Sequence, residues 1–233
     1  MPDWLSPQEW QAVALSLKVS AVAVLASLPP GLLVAYALAR WRFAGRGLLN
    51  GLVHLPLVLP PVVTGYLLLL TFGRRGSIGA FLDQFGIVFA FRWTGAALAA
   101  AIMAFPLMVR AIRLAIEAVD PKLEQAASTL GASRPWVFAT ITLPLILPGI
   151  LAGMILAFAK AMGEFGATIT FVSNVPGQTQ TLPSAIWTAL QVPGGESRAL
   201  TMAALAGLMM TVAIVAAVQP DEPAPTPPLV LPA

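Results

Sequence analysis

Long apolar stretches alternate with shorter polar segments along most of the chain. Five of the apolar stretches reach the length of about twenty residues that a helix needs to cross a bilayer. They predict transmembrane helices at about residues 11–38, 48–72, 94–116, 143–165 and 199–218. Because backbone groups in hydrocarbon must bond to one another, the pattern predicts an all-α membrane protein with about five transmembrane helices.

The connecting segments differ in character. Residues 73–93 mix apolar side chains with glycine, which favours a re-entrant or interfacial piece. A polar stretch before the fifth span predicts one interfacial helix from Leu182 to Gln191. Residues 219–233 are rich in proline and predict a disordered tail behind a transmembrane domain at residues 1–218.

Composition agrees with this pattern. The chain is 58% hydrophobic and 10% charged, with a mean hydropathy of +0.84, which excludes an ordinary soluble fold. The formal charge of +3 is too small and too scattered to suggest a nucleic-acid partner. The 19 glycines and 21 prolines are typical of spans that are kinked and closely packed.

Residues 120–144 belong to the one polar, helix-compatible segment that is held between two long apolar spans. Asp120 is suited to an N-cap and Pro121 to the first helical position. Gly131 ends this helix, and a second short helix starts at Ser133. The segment therefore predicts a helix-turn-helix lying flat at the membrane surface, whose first helix repeats apolar residues at helical spacing, namely Leu123, Ala126, Ala127 and Leu130.

Basic residues in the short loops predict the orientation. One face of the five-span arrangement carries seven of them: Arg40, Arg42, Arg46, Arg110, Arg113, Lys122 and Arg134. The other face carries four: Arg74, Arg75, Arg92 and Arg198. By the positive-inside rule, the N-terminus lies outside, and both the 120–144 segment and the C-terminus are cytoplasmic.

Ionisable residues at membrane depth are costly and therefore candidates for function. Lys160 and Glu164 lie four residues apart and form either a structural ion pair or part of a gate next to Gly163.

His54 is the only histidine, and its expected role is a hydrogen bond within the bundle. The spans contain no catalytic constellation, no phosphate-binding loop and no metal-ligand spacing, so neither an enzyme nor a cofactor or metal site is predicted. Hydroxyls that could face a passing oxyanion belong to Thr64, Thr168, Thr170 and Ser173, although a hydroxyl in a span usually bonds to a preceding carbonyl instead.

The 120–144 segment resembles the coupling loop of ABC importer permeases. The resemblance rests on Ala126-Ala127, Gly131 four residues later, and a Leu-Pro pair that ends thirteen residues after that glycine. One position departs from the signature, because Gln125 occupies the glutamate position and Glu124 precedes it. The resemblance implies a type I importer fold with a cytoplasmic coupling helix-turn-helix that docks on a separate ABC ATPase subunit. The implied coupling residues are Glu124, Gln125, Ala126, Ala127, Leu130, Gly131, Phe138, Leu143 and Pro144.

Residues 54–70 and 160–174 further resemble the molybdate branch of that family, and the resemblance extends from about Glu9 to Arg198. It implies a homodimer in the inner membrane, two ATPase copies, a periplasmic molybdate-binding protein, and import of molybdate and tungstate. The anion path would lie between the subunits along the second and fourth spans. A sulfate or thiosulfate permease and an energy-independent anion channel are the alternative functions. The implied pathway residues are Thr64, Gly65, Lys160, Gly163, Glu164, Thr168, Thr170 and Ser173.

Overall fold

A computed structural model describes residues 5–217, and every regular element in that range is helical, as predicted. The proline-rich segment at 219–233 lies outside the described residues. The elements in chain order are α1 (Pro7–Arg40), α2 (Arg46–Val58), α3 (Pro61–Phe72), α4 (Ser77–Asp83), α5 (Trp93–Ala118), α6 (Pro121–Thr129), α7 (Arg134–Val137), a π-helical segment (Phe138–Thr142), α8 (Leu143–Met162), α9 (Gly166–Val172), α10 (Leu182–Leu190) and α11 (Glu196–Ala217).

Three continuous helical stretches in the described range are long and apolar enough to cross a membrane, namely Pro7–Arg40, Trp93–Ala118 and Arg134–Met162. The pair α2 and α3 qualifies as a fourth span if it is taken together. The predicted fifth span falls on α11, a helix of 22 residues, and its crossing of the membrane stays a prediction.

Two predicted spans are interrupted. The second span is broken between Val58 and Pro61, where α2 and α3 meet at an angle of 115°. Pro60 and Pro61 provide no backbone N–H for a continuing helix, so the chain turns there. The fourth span ends at Met162 rather than Phe165, since the chain breaks before α9.

The core lies where α1, α5 and α8 pack together. Small residues bring α5 and α8 close, because a Cβ at Gly149 would overlap the side chain of Ala115. A Cβ at Gly153 would lie 3.2 Å from the Met108 carbonyl oxygen. Close backbone approach through small residues is the usual way in which helices associate in lipid.

One end of the bundle, called the loop end, carries the 120–144 loop. Here Arg40 Nη2 at the end of α1 donates to the carbonyl oxygen of Val119 at 3.1 Å. Arg113 Nη1 on α5 donates to Asn50 Oδ1 on α2 at 3.2 Å. The C-terminal ends of α1 and α5 and the start of α2 therefore share the loop end.

The opposite end, called the far end, holds the N-terminal parts of α1 and α5. Lys18 Nζ lies 3.8 Å from the ring centroid of Trp93, a cation–π contact. The rings of Phe72, which ends α3, and Phe89, which precedes α5, are 6.0 Å apart edge to face. The bent pair of α2 and α3 thus runs from the loop end to the far end, as one broken span would.

Candidate functional site: a surface helix-turn-helix and a broken helix pair

The first helix of the 120–144 loop is defined by its two ends, as the sequence predicts. Asp120 Oδ1 accepts from the Lys122 N–H at 2.9 Å and caps α6. Gly131 has a φ of +87°, the left-handed region that favours glycine. The N–H of Gly131 bonds to the Ser128 carbonyl at 3.1 Å, and that of Ala132 to the Ala127 carbonyl at 3.2 Å. These two bonds form a Schellman motif, which closes the helix and turns the chain into α7.

The outer face of this loop is apolar and open. The side chains of Leu130 and Trp136 are 89% and 64% exposed, and Leu123 is also exposed. Gln125, Ala126 and Pro144 are also exposed, and Ala127 and Leu143 are half-buried. Several exposed apolar side chains on one polar loop are typical of a protein-interaction site.

Phe138 does not belong to this outer face, although the sequence resemblance places it among the coupling residues. Its ring packs inward, 5.4 Å from the ring of Tyr36 and edge to face. The exposed aromatic residue is instead Trp136, which sequence reasoning missed. Its position beside Pro135 on the polar loop was the signal that could have indicated it.

Glu124 belongs to the inner face of the loop. Its Oε1 accepts a hydrogen bond from Thr142 Oγ1 at 2.8 Å and lies 3.4 Å from Arg40 Nη2. The Glu124 side chain is 21% exposed. One carboxylate therefore joins α6 to the end of α1 and to the π-helical segment before α8.

The break between α8 and α9 holds an ion pair. Lys160 Nζ donates to Glu164 Oε2 at 2.8 Å, and Glu164 Oε1 accepts from the Ala167 N–H at 3.0 Å. The Glu164 side chain is 1% exposed, whereas that of Lys160 is 30% exposed. The acid is thus enclosed between its partners, while the Lys160 side chain is half-buried near the exposed Gly163.

Two glycines bring α3 against α9. A Cβ at Gly65 would overlap the carbonyl oxygen of Ala167, and a Cβ at Gly166 would lie 2.8 Å from Pro61 Cβ. The hydroxyl of Thr64, next to this contact, is buried and has no hydrogen-bond partner within residues 5–217. The predicted pathway residues Thr64 and Gly65 therefore lie at the contact between the two helices that follow the breaks.

The remaining hydroxyls differ from Thr64. Thr168 Oγ1 donates to the Phe165 carbonyl at 2.9 Å, and Thr170 Oγ1 donates to the Gly166 carbonyl at 2.8 Å. Such bonds to the preceding turn are the ordinary way in which a helical threonine is satisfied. Ser173 ends α9 with a φ of 68°, which is uncommon for a residue other than glycine.

His54 is bonded within the bundle, as expected, with its Nδ1 2.8 Å from the Asn50 carbonyl oxygen. Between residues 5 and 217, no three His, Asp or Glu side chains come together as metal ligands would. The site consists instead of exposed apolar side chains on the 120–144 loop, an internal carboxylate and a broken helix pair.

A comparison with protein families decides between the possible classes. The model of the binding-protein-dependent transport system inner membrane component matches residues 27–219, most of the chain. The chain belongs to this family of inner-membrane transport components. It is therefore a multi-pass inner-membrane permease subunit and not an enzyme.

Individual relatives of this permease agree with the family. The molybdenum transport system permease protein ModB of Escherichia coli K12 is 67% identical over 196 residues, which cover 84% of this chain and 86% of the relative. ModB of Haemophilus influenzae is 55% identical over 207 residues, covering 88% and 90%. The sulfate transport system permease protein CysT of Escherichia coli K12 is 37% identical over 186 residues, covering 80% and 67%.

Solved structures of transporters show the same fold. A bacterial ABC transporter that imports the acidic polysaccharide alginate matches with a TM-score of 0.72 at 19% identity, covering 91% of this chain and 78% of that one. An amino acid ABC transporter crystallised with histidines matches with a TM-score of 0.65 at 21% identity, covering 91% of both chains. The predicted type I importer fold is thereby confirmed.

Proposed function

We propose that this permease forms the membrane pathway of an ATP-driven importer for molybdate, with tungstate as a second substrate. The observation that carries the proposal is the higher identity to the molybdenum permeases than to the sulfate permease. Molybdate and sulfate are both tetrahedral dianions, so the sulfate branch is the nearest alternative. An energy-independent channel would have no use for an exposed apolar docking face on its surface loop.

The docking face is proposed to bind a cytoplasmic ABC ATPase, with two ATPase copies serving a permease homodimer. The exposed side chains of Leu130, Trp136 and Leu123 support this, because apolar and aromatic anchors dominate binding at protein interfaces. Gln125, Ala126, Ala127, Leu143 and Pro144 complete the proposed contact region around Gly131. A periplasmic molybdate-binding protein would deliver the anion at the far end.

The path itself is proposed to follow α2, α3, α8 and α9 between the two subunits. Lys160 supports this assignment, because its ammonium group is half-buried beside the break and an oxyanion attracts a cation there. Thr64 supports it as well, since a buried hydroxyl without a partner among the described residues can donate to a passing oxygen. Thr168, Thr170, Ser173, Gly65 and Gly163 would shape the path around them.

Transport and substrate are tested together by reconstitution. We expect proteoliposomes containing the permease, its ATPase and its binding protein to take up labelled molybdate only with ATP, even under a large excess of sulfate. Uptake without ATP would favour a channel. Uptake that sulfate abolishes would assign the chain to the sulfate branch.

The orientation is proposed to be N-terminus outside and C-terminus cytoplasmic, with the loop end in the cytoplasm. The chain contains no cysteine, so single cysteines report the side directly. We expect a Leu130→Cys variant in sealed right-side-out vesicles to resist a membrane-impermeant thiol reagent. A Val192→Cys variant, which lies near Ser6 and Glu9 at the start of α1, should react. Both positions are exposed, and the reverse result would invert the topology.

A further inference from the structure

We infer that Glu124 is a positioning residue that carries movement of the 120–144 loop into the membrane-spanning bundle, rather than a residue that contacts the ATPase. This inference rests on the proposed function, since the movement originates in a docked ATPase. The place of Glu124 directly before Gln125 in the implied coupling loop suggests an ATPase contact, but the structure directs the carboxylate the other way.

The first reason is the direction of the side chain. Glu124 points to the inside of the loop, whereas Gln125, the next residue, is exposed on the outside. The partners of Glu124 are both internal, Arg40 on α1 and Thr142 in the π-helical segment. A docked ATPase would touch Leu130 and Trp136 on one face, and Glu124 would hold the other face to the bundle.

The second reason is what each partner is attached to. Arg40 Nη2 also donates to the carbonyl oxygen of Val119, so the guanidinium group links the ends of α1 and α5. Thr142 is followed directly by α8, and residues Arg134–Met162 count as one continuous helical stretch. Through one carboxylate, α6 is therefore tied to α1, to α5 and to α8.

The third reason is where α8 leads. Its 20 residues span about 30 Å at the helical rise of 1.5 Å per residue. Its distal end is the break that contains Gly163 and the ion pair of Lys160 and Glu164. A displacement of α6 that pulls on Thr142 is thus applied to a helix whose other end borders the proposed path.

The π-helical segment at Phe138–Thr142 fits this role. Segments of this kind interrupt regular α-helix hydrogen bonding and are frequent at functional sites. Thr142 Oγ1 bonds to the carboxylate from within the segment. The Glu124 carboxylate therefore binds the helical stretch Arg134–Met162 at the place where its geometry departs from a regular α-helix.

Thr142 provides a test that excludes direct contact with the ATPase, because the residue is buried at 1% exposure. We expect Thr142→Val, which keeps the shape and removes the hydroxyl, to lower the ratio of molybdate imported to ATP hydrolysed by about tenfold. That is the fold-change for one hydrogen bond to a charged group. Thr142→Ser, which keeps the hydroxyl, should stay near the wild-type ratio.

Glu124 is tested in the same assembled transporter. Glu124→Ala should lower the ratio by about tenfold or more, since it removes both bonds. It should leave co-purification with the ATPase unchanged, because the carboxylate bonds only within the permease. Glu124→Gln keeps an acceptor oxygen without the charge and should fall between wild type and Glu124→Ala.

Two results would overturn the inference. A wild-type ratio in Thr142→Val would show that the internal bond transmits nothing. Loss of ATPase binding in Glu124→Ala would make Glu124 a docking residue. Failure of the wild-type protein to import molybdate would instead contradict the proposed function, so the two failures are distinguishable.

Discussion

Replacing Gly131 with valine is expected to leave ATP hydrolysis running while molybdate uptake falls by about tenfold or more. Gly131 occupies the left-handed region at φ +87°, where an L-residue costs roughly 1–2 kcal/mol and a β-branched one is especially disfavoured. Nothing lies within 4 Å of an added Cβ, so the effect comes from the backbone and not from a steric clash. The end of α6 would rearrange and Leu130 would leave the docking face.

A matched control separates coupling from general strain. Gly86 has a φ of +74° and also has nothing within 4 Å of an added Cβ, but it lies between α4 and α5 at the far end. Gly86→Val should carry a similar backbone cost without affecting the ratio of uptake to hydrolysis. Asparagine tolerates the left-handed region, so Gly131→Asn should retain more uptake than Gly131→Val. Normal coupling in Gly131→Val would contradict the proposed docking geometry.

Lys160→Gln is expected to reduce molybdate uptake by about tenfold, and the double variant Lys160→Gln/Glu164→Gln should not restore it. Removing Lys160 alone leaves the Glu164 carboxylate enclosed and without its partner, which is strongly destabilising in buried pairs. The double variant removes that unpaired charge, so its thermal stability should recover. Uptake should stay low if the ammonium group itself acts on the anion.

Recovery of uptake in the double variant would show that the pair is structural only. The matched control is the exposed i,i+4 pair of Arg113 and Glu117, whose carboxylate lies 2.8 Å from the guanidinium Nε. Glu117→Gln should change uptake little, because exposed pairs contribute about 0–1 kcal/mol. Uptake by each variant is measured in proteoliposomes at equal ATPase content.

The parts of this site that the sequence predicts correctly are local. Asp120 caps α6 through the N–H two residues away, and Gly131 ends the same helix through bonds to carbonyls of the preceding turn. Such contacts depend on residues a few positions apart, so a residue pattern contains them. The ion pair between Lys160 and Glu164, one of the two roles that the sequence left open, is local in the same way.

The parts of the site that the sequence did not predict depend on contacts between residues far apart in the chain. Glu124 and Arg40 are 84 positions apart, and Arg40 appears in the sequence only as one charge in a basic loop. Phe138 is apolar like an anchor residue, but its inward direction depends on Tyr36. Hydropathy averaged over a span also hides an interruption, because the residues around Pro60 are as apolar as the helices on either side.

The contact between α3 and α9 has a consequence for how the two breaks behave. Each of these short helices directly follows an interruption of its span, and Gly65 and Gly166 bring their backbones together. Tilting one helix away from the other would lose these backbone contacts and leave a void between them, so concerted movement is favoured. We therefore expect the two interruptions within one subunit to act as a single hinge, so that α3 and α9 move together as one rigid unit and not independently.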